Sequence, residues 1–286
     1  RRIFQFIDAN RDAYGVEFLC KTYGVSKSGY YAFRNRPMSS QQKRRSELSV
    51  EITQIHAESH GIYGSPRVYQ QLRKKGGCCC KNTVASIMRE YGIKGRVSRI
   101  YANNAGLHKF YTRVENLRLD QPEPDAINKV WVADVTYIGF NKRFQYLAVV
   151  MDLYSRRIVG WSFGNNRKGA LTKRALTYAV RKRCPPEGML FHSDRGVEYR
   201  CEEHTNALER HKITHSANRP RCCHDNAHME SFFHTLKGEL IRGRTFESEK
   251  ELKQLVKGYI IHFYNKKRLH SALNYCSPVE FERLTS

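Results

Sequence analysis

Trp131-Val132-Ala133-Asp134-Val135-Thr136-Tyr137-Ile138 is a run of β-branched, aromatic and small residues with one acid in its middle. Such a run reads as a strand of a packed sheet. A carboxylate inside it is costly unless it is paired or bound to metal. On the C-terminal side a turn at 139–143 leads to a second strand, Phe144–Met151, and then to a third, Arg157–Gly164. A helix over Gly169–Lys182 stops at Pro185-Pro186 and is followed by an apolar strand, Met189–His192. A helix near Glu202–His211 and a short strand, Ile213–His215, complete the pattern. This order predicts an α/β unit, a mixed five-stranded sheet with helices packed on it. Asp225 is expected to cap a strong helix that buries Met229, Phe232, Phe233, Leu236 and Leu240. A further helix spans roughly Ser248–Tyr264, and a tail runs through Arg268, His270 and Pro278.

On the N-terminal side the pattern is helical. Glu17–Thr22 leads through Tyr23-Gly24-Val25 to a helix capped by Ser26 and running through Arg34, a helix-turn-helix layout. Leu48, Ile52 and Ile55 share one face of a helix over Gln42–Ser59. Ser65 is expected to cap a helix with Pro66 in its first position, and Asn82 one that carries Val84, Ile87 and Met88 and ends at Gly92, a second helix-turn-helix. Residues 96–125 are basic, polar and weakly periodic, and read as a linker.

The chain has 286 residues with 50 Lys+Arg, 27 Asp+Glu and a net charge of +23. The excess is spread along it: 22 basic against 9 acidic residues in the first 120, and 28 against 18 in the rest. A charge of that size points to a polyanionic partner, nucleic acid above all. An anionic membrane surface is the rival, but no apolar stretch approaches the ~18 residues of a spanning helix and no signal peptide is evident. The nine cysteines, with Cys78-Cys79-Cys80 and Cys222-Cys223 adjacent, make no disulfide framework, so a reducing, intracellular compartment is expected. Cys222, Cys223, His224 and His228 look like a ligand cluster, but no paired CxxC units support zinc. The start at Arg1 rather than Met fits a trimmed or partial product.

Three acids stand out by position. Asp134 is mid-strand, Asp194 follows an apolar strand at the edge where open sheets present functional groups, and Glu230 lies in the first turns of the helix after Asp225. Each also has an ordinary reading, as a solvent-facing edge residue, a turn residue and a solvated helix position. If they converge, their mutual repulsion, roughly 4 kcal/mol for a pair about 4 Å apart at a dielectric of 20, calls for cations. Oxygen ligands suit Mg²⁺ or Mn²⁺, and two such ions can activate a hydroxyl and stabilise the leaving oxygen of a phosphodiester.

The segments around these acids carry a resemblance. Trp131–Tyr137, His192-Ser193-Asp194-Arg195-Gly196 with Tyr199, and Asp225–Phe233 followed by Leu236-Lys237-Gly238-Glu239 resemble the integrase core of bacterial insertion-sequence transposases. The second reading-frame product of the IS3 family matches best, since 35 residues separate Asp194 from Glu230 as in its Asp-Asp-35-Glu pattern. Tyr264-Asn265, Arg268, His270, Leu273, Tyr275, Pro278 and Phe281 resemble its C-terminal signature. Val25–Tyr31 and Tyr63–Arg67 resemble its N-terminal DNA-binding segments. Glu198 stands where the family commonly has Gln, His224 where an aromatic is frequent, and Asn274 where Gly is common.

The resemblance implies an RNase H-like DDE catalytic core over 126–245, with Asp134, Asp194 and Glu230 as catalytic metal ligands for Mg²⁺ or Mn²⁺, two per site. It implies helix-turn-helix units at 1–37 and 38–95, a linker at 96–125, and a C-terminal helix and tail at 246–286. Expected DNA contacts are Lys237 and His234, on the face of Glu230, with Ser26, Lys27, Ser28, Tyr30, Arg67 and Arg268. Asp152 is expected to be structural, as a cap or an ion-pair partner of Arg156. The partners implied are double-stranded DNA, both terminal inverted repeats and target, and further copies of the chain in a synaptic complex of at least two. The location implied is the bacterial cytoplasm, at the nucleoid. A repressor without chemistry, and an RNase H-like nuclease or resolvase, are the alternatives.

Overall fold

The computed structural model describes residues 2–35, 37, 39–96, 115–119, 121–141, 143–220 and 222–285, without the side chains of 223 and 224. Most of the expected linker, 97–114, and half of the Cys222–His228 cluster therefore lie outside the described residues. Among the described residues no helix is long and apolar enough to cross a membrane.

The central sheet has five strands in the order β3-β2-β1-β4-β5: β1 Val130–Phe140, β2 Arg143–Asp152, β3 Ile158–Gly164, β4 Leu190–Ser193 and β5 Thr214–Ala217. The three-strand meander is antiparallel, while β4 and β5 are parallel to β1. Alternation along β1 sends Val132 and Ile138 into one hydrophobic layer and Trp131, Ala133 and Val135 into the other. Helices α7 (Gly169–Arg183) and α9 (Glu202–Arg210) cover the second face. Gly160 on β3 permits the close approach of α7, since a Cβ there would lie 2.3 Å from the Ala175 carbonyl oxygen. The opposite face packs against α10 (Ala227–Leu236) and α11 (Glu249–Gly258), each continuing into a more widely wound π turn, Lys237–Ile241 and Tyr259–Tyr264.

Helices α1 (Arg2–Tyr14), α2 (Val16–Thr22) and α3 (Lys27–Asn35) enclose a small core of their own around Ile7, Leu19, Cys20 and Tyr30. Helices α4 (Ser40–Glu58), α5 (Ser65–Lys74) and α6 (Lys81–Glu90) instead share one apolar cluster with the α10–α11 side of the sheet.

Several expected caps move. A capping box between Ser39 and Gln42 starts α4. Gly64, not Ser65, is the N-cap of α5, and Cys80, not Asn82, caps α6 by accepting from the Thr83 N–H. Asp225 does not cap α10. Its carboxylate is occupied by Arg219 and Asn116, so a 3₁₀ turn over Cys223–Asn226 intervenes and the helix begins at Ala227. The tail also holds a helix, α12 (Pro278–Thr285), which the periodicity did not indicate. Its Glu282 is buried against Arg157 and Arg183.

Candidate active site

Strand register brings two of the three acids together. β1 and β4 run parallel with Ala133 opposite Ser193, so the next residue on each chain is an aspartate. Neighbouring strands are about 4.8 Å apart, which sets Asp134 beside Asp194 at the carboxyl end of β4. The charge of Asp194 is felt at Asp134: burial pushes the Asp134 carboxyl well above the usual carboxylate range, and Asp194 pushes it further. The Val135 N–H donates to Asp134 Oδ1 at 2.7 Å, and the Gly196 N–H to Asp194 Oδ1 at 2.9 Å.

Two residues that the sequence did not single out as functional complete this cluster. Arg167, in the connection between β3 and α7, donates through Nη2 to Asp194 at 3.4 Å and through Nε to Glu198 at 2.5 Å. Glu198 lies on the short helix α8 (Val197–Arg200), its side chain 2% exposed against 44% for Arg167. Burial raises the Glu198 carboxyl above its ordinary range and Arg167 counteracts this. Burial disfavours the Arg167 charge, but Glu198 and Asp194 more than compensate and raise its pKa. Gly196 makes the approach possible, since a Cβ there would lie 2.5 Å from Glu198 Oε1 and 2.8 Å from Asp194 Oδ1. Glu198 carried a sequence signal, four residues beyond Asp194 and a departure from the family pattern. Arg167 carried none, because its position depends on the fold.

Glu230 lies in the first turns of α10, exposed to solvent. No group of three His, Cys, Asp or Glu side chains capable of holding a metal exists among the described residues. The structure thus pairs Asp134 with Asp194 and does not gather Glu230 with them. The start of α10 is nevertheless tied to this edge, because Asn226 Nδ2 donates to the Ala133 carbonyl at 3.0 Å. Two turns after Glu230, burial lowers the Lys237 pKa while the charge of Asp134 opposes the shift. The Lys237 Nζ lies 4.6 Å from the centre of the Tyr137 ring. His234, one turn before Lys237, is half-buried.

The other expected DNA contacts divide. Ser26, Lys27 and Ser28 are exposed at the start of α3, where Ser26 Oγ accepts from the Gly29 N–H and Lys27 pairs with Glu17. Tyr30 points inward, fully buried, and its hydroxyl donates to Asp8 at 2.8 Å. Arg67 is partly buried, its Nε donating to the Leu269 carbonyl at 3.1 Å. Arg268 is 5% exposed and clamps Glu239 through Nε and Nη2 at 2.8–3.1 Å. Tyr30 and Arg268 are therefore core residues rather than DNA contacts, and Arg67 is engaged with the tail. Asp152 is structural: it is buried and accepts from the N–H groups of Asn128, Tyr154 and Ser155. Its basic neighbour is Arg183 at 4.0 Å, not Arg156.

The chain is similar in sequence to known proteins along nearly its whole length. Residues 124–223 and 230–285 match family models of the integrase core domain, and residues 43–101 match an HTH-like domain. The chain is 32% identical over 281 residues to the transposase InsF of insertion sequence IS3A from Escherichia coli K12, covering 98% of both chains. It is also 32% identical over 263 residues to the 31 kDa protein of insertion element IS600 from Shigella sonnei, covering 92% of this chain and 97% of that one. Among solved structures, a simian T-cell lymphotropic virus intasome chain aligns over 81% of this chain and 74% of its own, with a TM-score of 0.47 and 15% identity. The HTLV-2 integrase catalytic core domain in complex with magnesium aligns over 54% of this chain and 96% of its own, with a TM-score of 0.42 and 15% identity. With the integrase-core sheet, the HTH-like helices and end-to-end similarity to InsF in agreement, the chain belongs to the IS3 family of insertion-sequence transposases and is a DNA-cleaving and DNA-transferring enzyme.

Proposed function

We propose that this transposase recognises the terminal inverted repeats of its own element and cuts and joins DNA strands at Asp134, Asp194 and Glu230. The observation that carries the reading is the side-by-side placement of Asp134 and Asp194 by the parallel β1–β4 register. Two adjacent carboxylates, one of them with a raised proton affinity, form an oxygen-only donor set that fits a hard divalent cation. Asp134 and Asp194 would hold Mg²⁺ or Mn²⁺, with Glu230 as the third ligand once DNA engages α10, and Arg167 as the counter-charge that yields its place. Two bound ions would supply activation of the attacking hydroxyl and stabilisation of the leaving oxygen. Lys237 and His234 would contact the DNA end, and Ser26, Lys27 and Ser28 the terminal repeat through α3. Synapsis of two ends calls for at least two copies of the chain, working on the DNA of the nucleoid.

The test is joining of a labelled terminal-repeat oligonucleotide to plasmid in Mg²⁺. The wild-type chain is expected to join, and Asp134→Asn to bind DNA without joining. Added Mn²⁺ should raise the melting temperature of the wild type and not that of Asp134→Asn. Hydrolysis alone would make the chain a nuclease, and tight binding with neither product would make it a repressor.

A further inference from the structure

The rings of Tyr137 and Phe144 stand in solvent, 51% and 55% exposed. They occupy the two strands of the β1–β2 hairpin. The antiparallel register sets Tyr137 opposite Tyr146 and Gly139 opposite Phe144, so the two rings are diagonal neighbours on one face. Their centroids lie 5.2 Å apart with the planes at 81°. β4 ends at Ser193, opposite Ala133, so β1 has no β4 partner beyond that point. Tyr146, opposite Tyr137, is the last β2 residue paired with β3, so the hairpin end that carries Phe144 projects past both neighbouring strands. A Cβ at Gly139, opposite Phe144 and two residues past Tyr137, would meet nothing within 4 Å. Lys237 Nζ sits 4.6 Å from the Tyr137 ring centre and senses the charge of Asp134, which ties the aromatic pair to the acids.

Large apolar side chains left exposed in a cluster mark a contact surface. Exposed aromatic rings set edge to face beside an ammonium group suit an unpaired nucleic-acid strand, a base stacking on an open ring face and a phosphate meeting the cation. A second copy of the same hairpin would bring a second Lys237 against the first, so like charge disfavours self-association here. We propose that Tyr137 and Phe144 form a stacking platform for one or two unpaired bases of the DNA end next to the phosphodiester held at Asp134, with Lys237 on the flanking phosphate. This rests on the strand-transfer reading above and adds that the enzyme takes its DNA end in a frayed form.

The test uses the full chain and two duplex oligonucleotides of one sequence. One is fully paired, and the other has a short unpaired fork carrying 2-aminopurine at one end. The wild type is expected to hold the forked probe about tenfold more tightly than the paired one and to quench the 2-aminopurine. Tyr137→Ala/Phe144→Ala should lose both the preference and the quenching while retaining affinity for the paired probe. Tyr137→Trp/Phe144→Trp should restore both, because any large aromatic face supports stacking. Equal affinity of the wild type for the two probes, or an alanine double variant that keeps preference and quenching, would overturn the platform. Terminal-repeat joining is run in parallel: joining by a wild type that ignores the fork removes the platform alone, whereas a wild type that joins nothing removes the reading beneath it.

Discussion

Arg167 illustrates how one side chain sets the state of a site. It lies within hydrogen-bond distance of both Asp194 and Glu198, and Glu198 is almost wholly withdrawn from water. Removing one member of a buried pair leaves the other charge uncompensated, whereas removing both costs much less. Arg167→Ala is therefore expected to lose about 1–3 kcal/mol of stability, a value reduced from that of a fully buried pair because Arg167 is partly solvated. Arg167→Ala/Glu198→Gln should recover most of the loss in a denaturant-unfolding double-mutant cycle. Additive losses would mean that the pair is not coupled. The buried Glu198 thus has its physical complement in Arg167.

At the scale of elements, the seam between β4 and β5 is built from neutral histidines. His192 bridges Ser216 and Asn218 at 2.8 Å each, and His215 bonds Ser193 at 3.1 Å. His204 of α9 packs at an angle on Phe191 and Tyr199 with neither ring nitrogen hydrogen-bonded. Burial lowers His192 to about 4, His204 to about 3 and His215 to about 4. In the unfolded chain these rings take protons near pH 6.5, so the unfolded state binds more protons below that point. Stability from this seam is complete above about pH 6.5 and is lost as pH falls toward 4. Melting temperature should be flat near neutrality and drop steadily on acidification. His204→Phe, which keeps an aromatic ring and removes the titrating group, should make that drop shallower. An unchanged slope would show that the buried ring is not responsible.

Over the whole molecule, the C-terminal tail joins the helical segment to the sheet. The Tyr63 hydroxyl donates to the Lys267 carbonyl and accepts from the Leu269 N–H, Lys74 pairs with Glu280, and Arg96 reaches the carbonyls of Glu239 and Arg242. Beneath these contacts Arg268 and Tyr259 share the buried carboxylate of Glu239, the tyrosine donating at 2.6 Å. Arg268→Ala is expected to cost about 3–5 kcal/mol in denaturant unfolding, because it strands Glu239 in the core. It should leave the salt dependence of DNA binding unaltered, since a buried guanidinium neutralises no phosphate. Lys27→Ala, on exposed α3, should do the opposite. The fold stays intact and the slope of log affinity against log salt flattens by about one. A wild-type affinity that does not fall with salt would contradict a polyanionic role for the +23 charge.

The sheet was legible in sequence because strands announce themselves locally. Alternation along β1 and β2, turn residues between them and the helical period of α7 and α10 need no knowledge of distant partners. Asp134, Asp194 and Glu230 were legible as candidates for the same reason, each marked by its own segment. Terminal positions were less so, because a cap depends on what else its side chain can reach: Asp225 is claimed by Arg219 and Asn116 and leaves the helix to begin later. Tyr30, Arg67 and Arg268 look alike in sequence as polar or basic motif residues, and only packing separates a surface cation from one that closes over Glu239. What the chain carried by itself was its periodicity, its charge and its acids. What tertiary structure decided was which side chains meet, because register, burial and the Arg167 counter-ion arise between segments far apart in sequence, where desolvation makes each pairing matter.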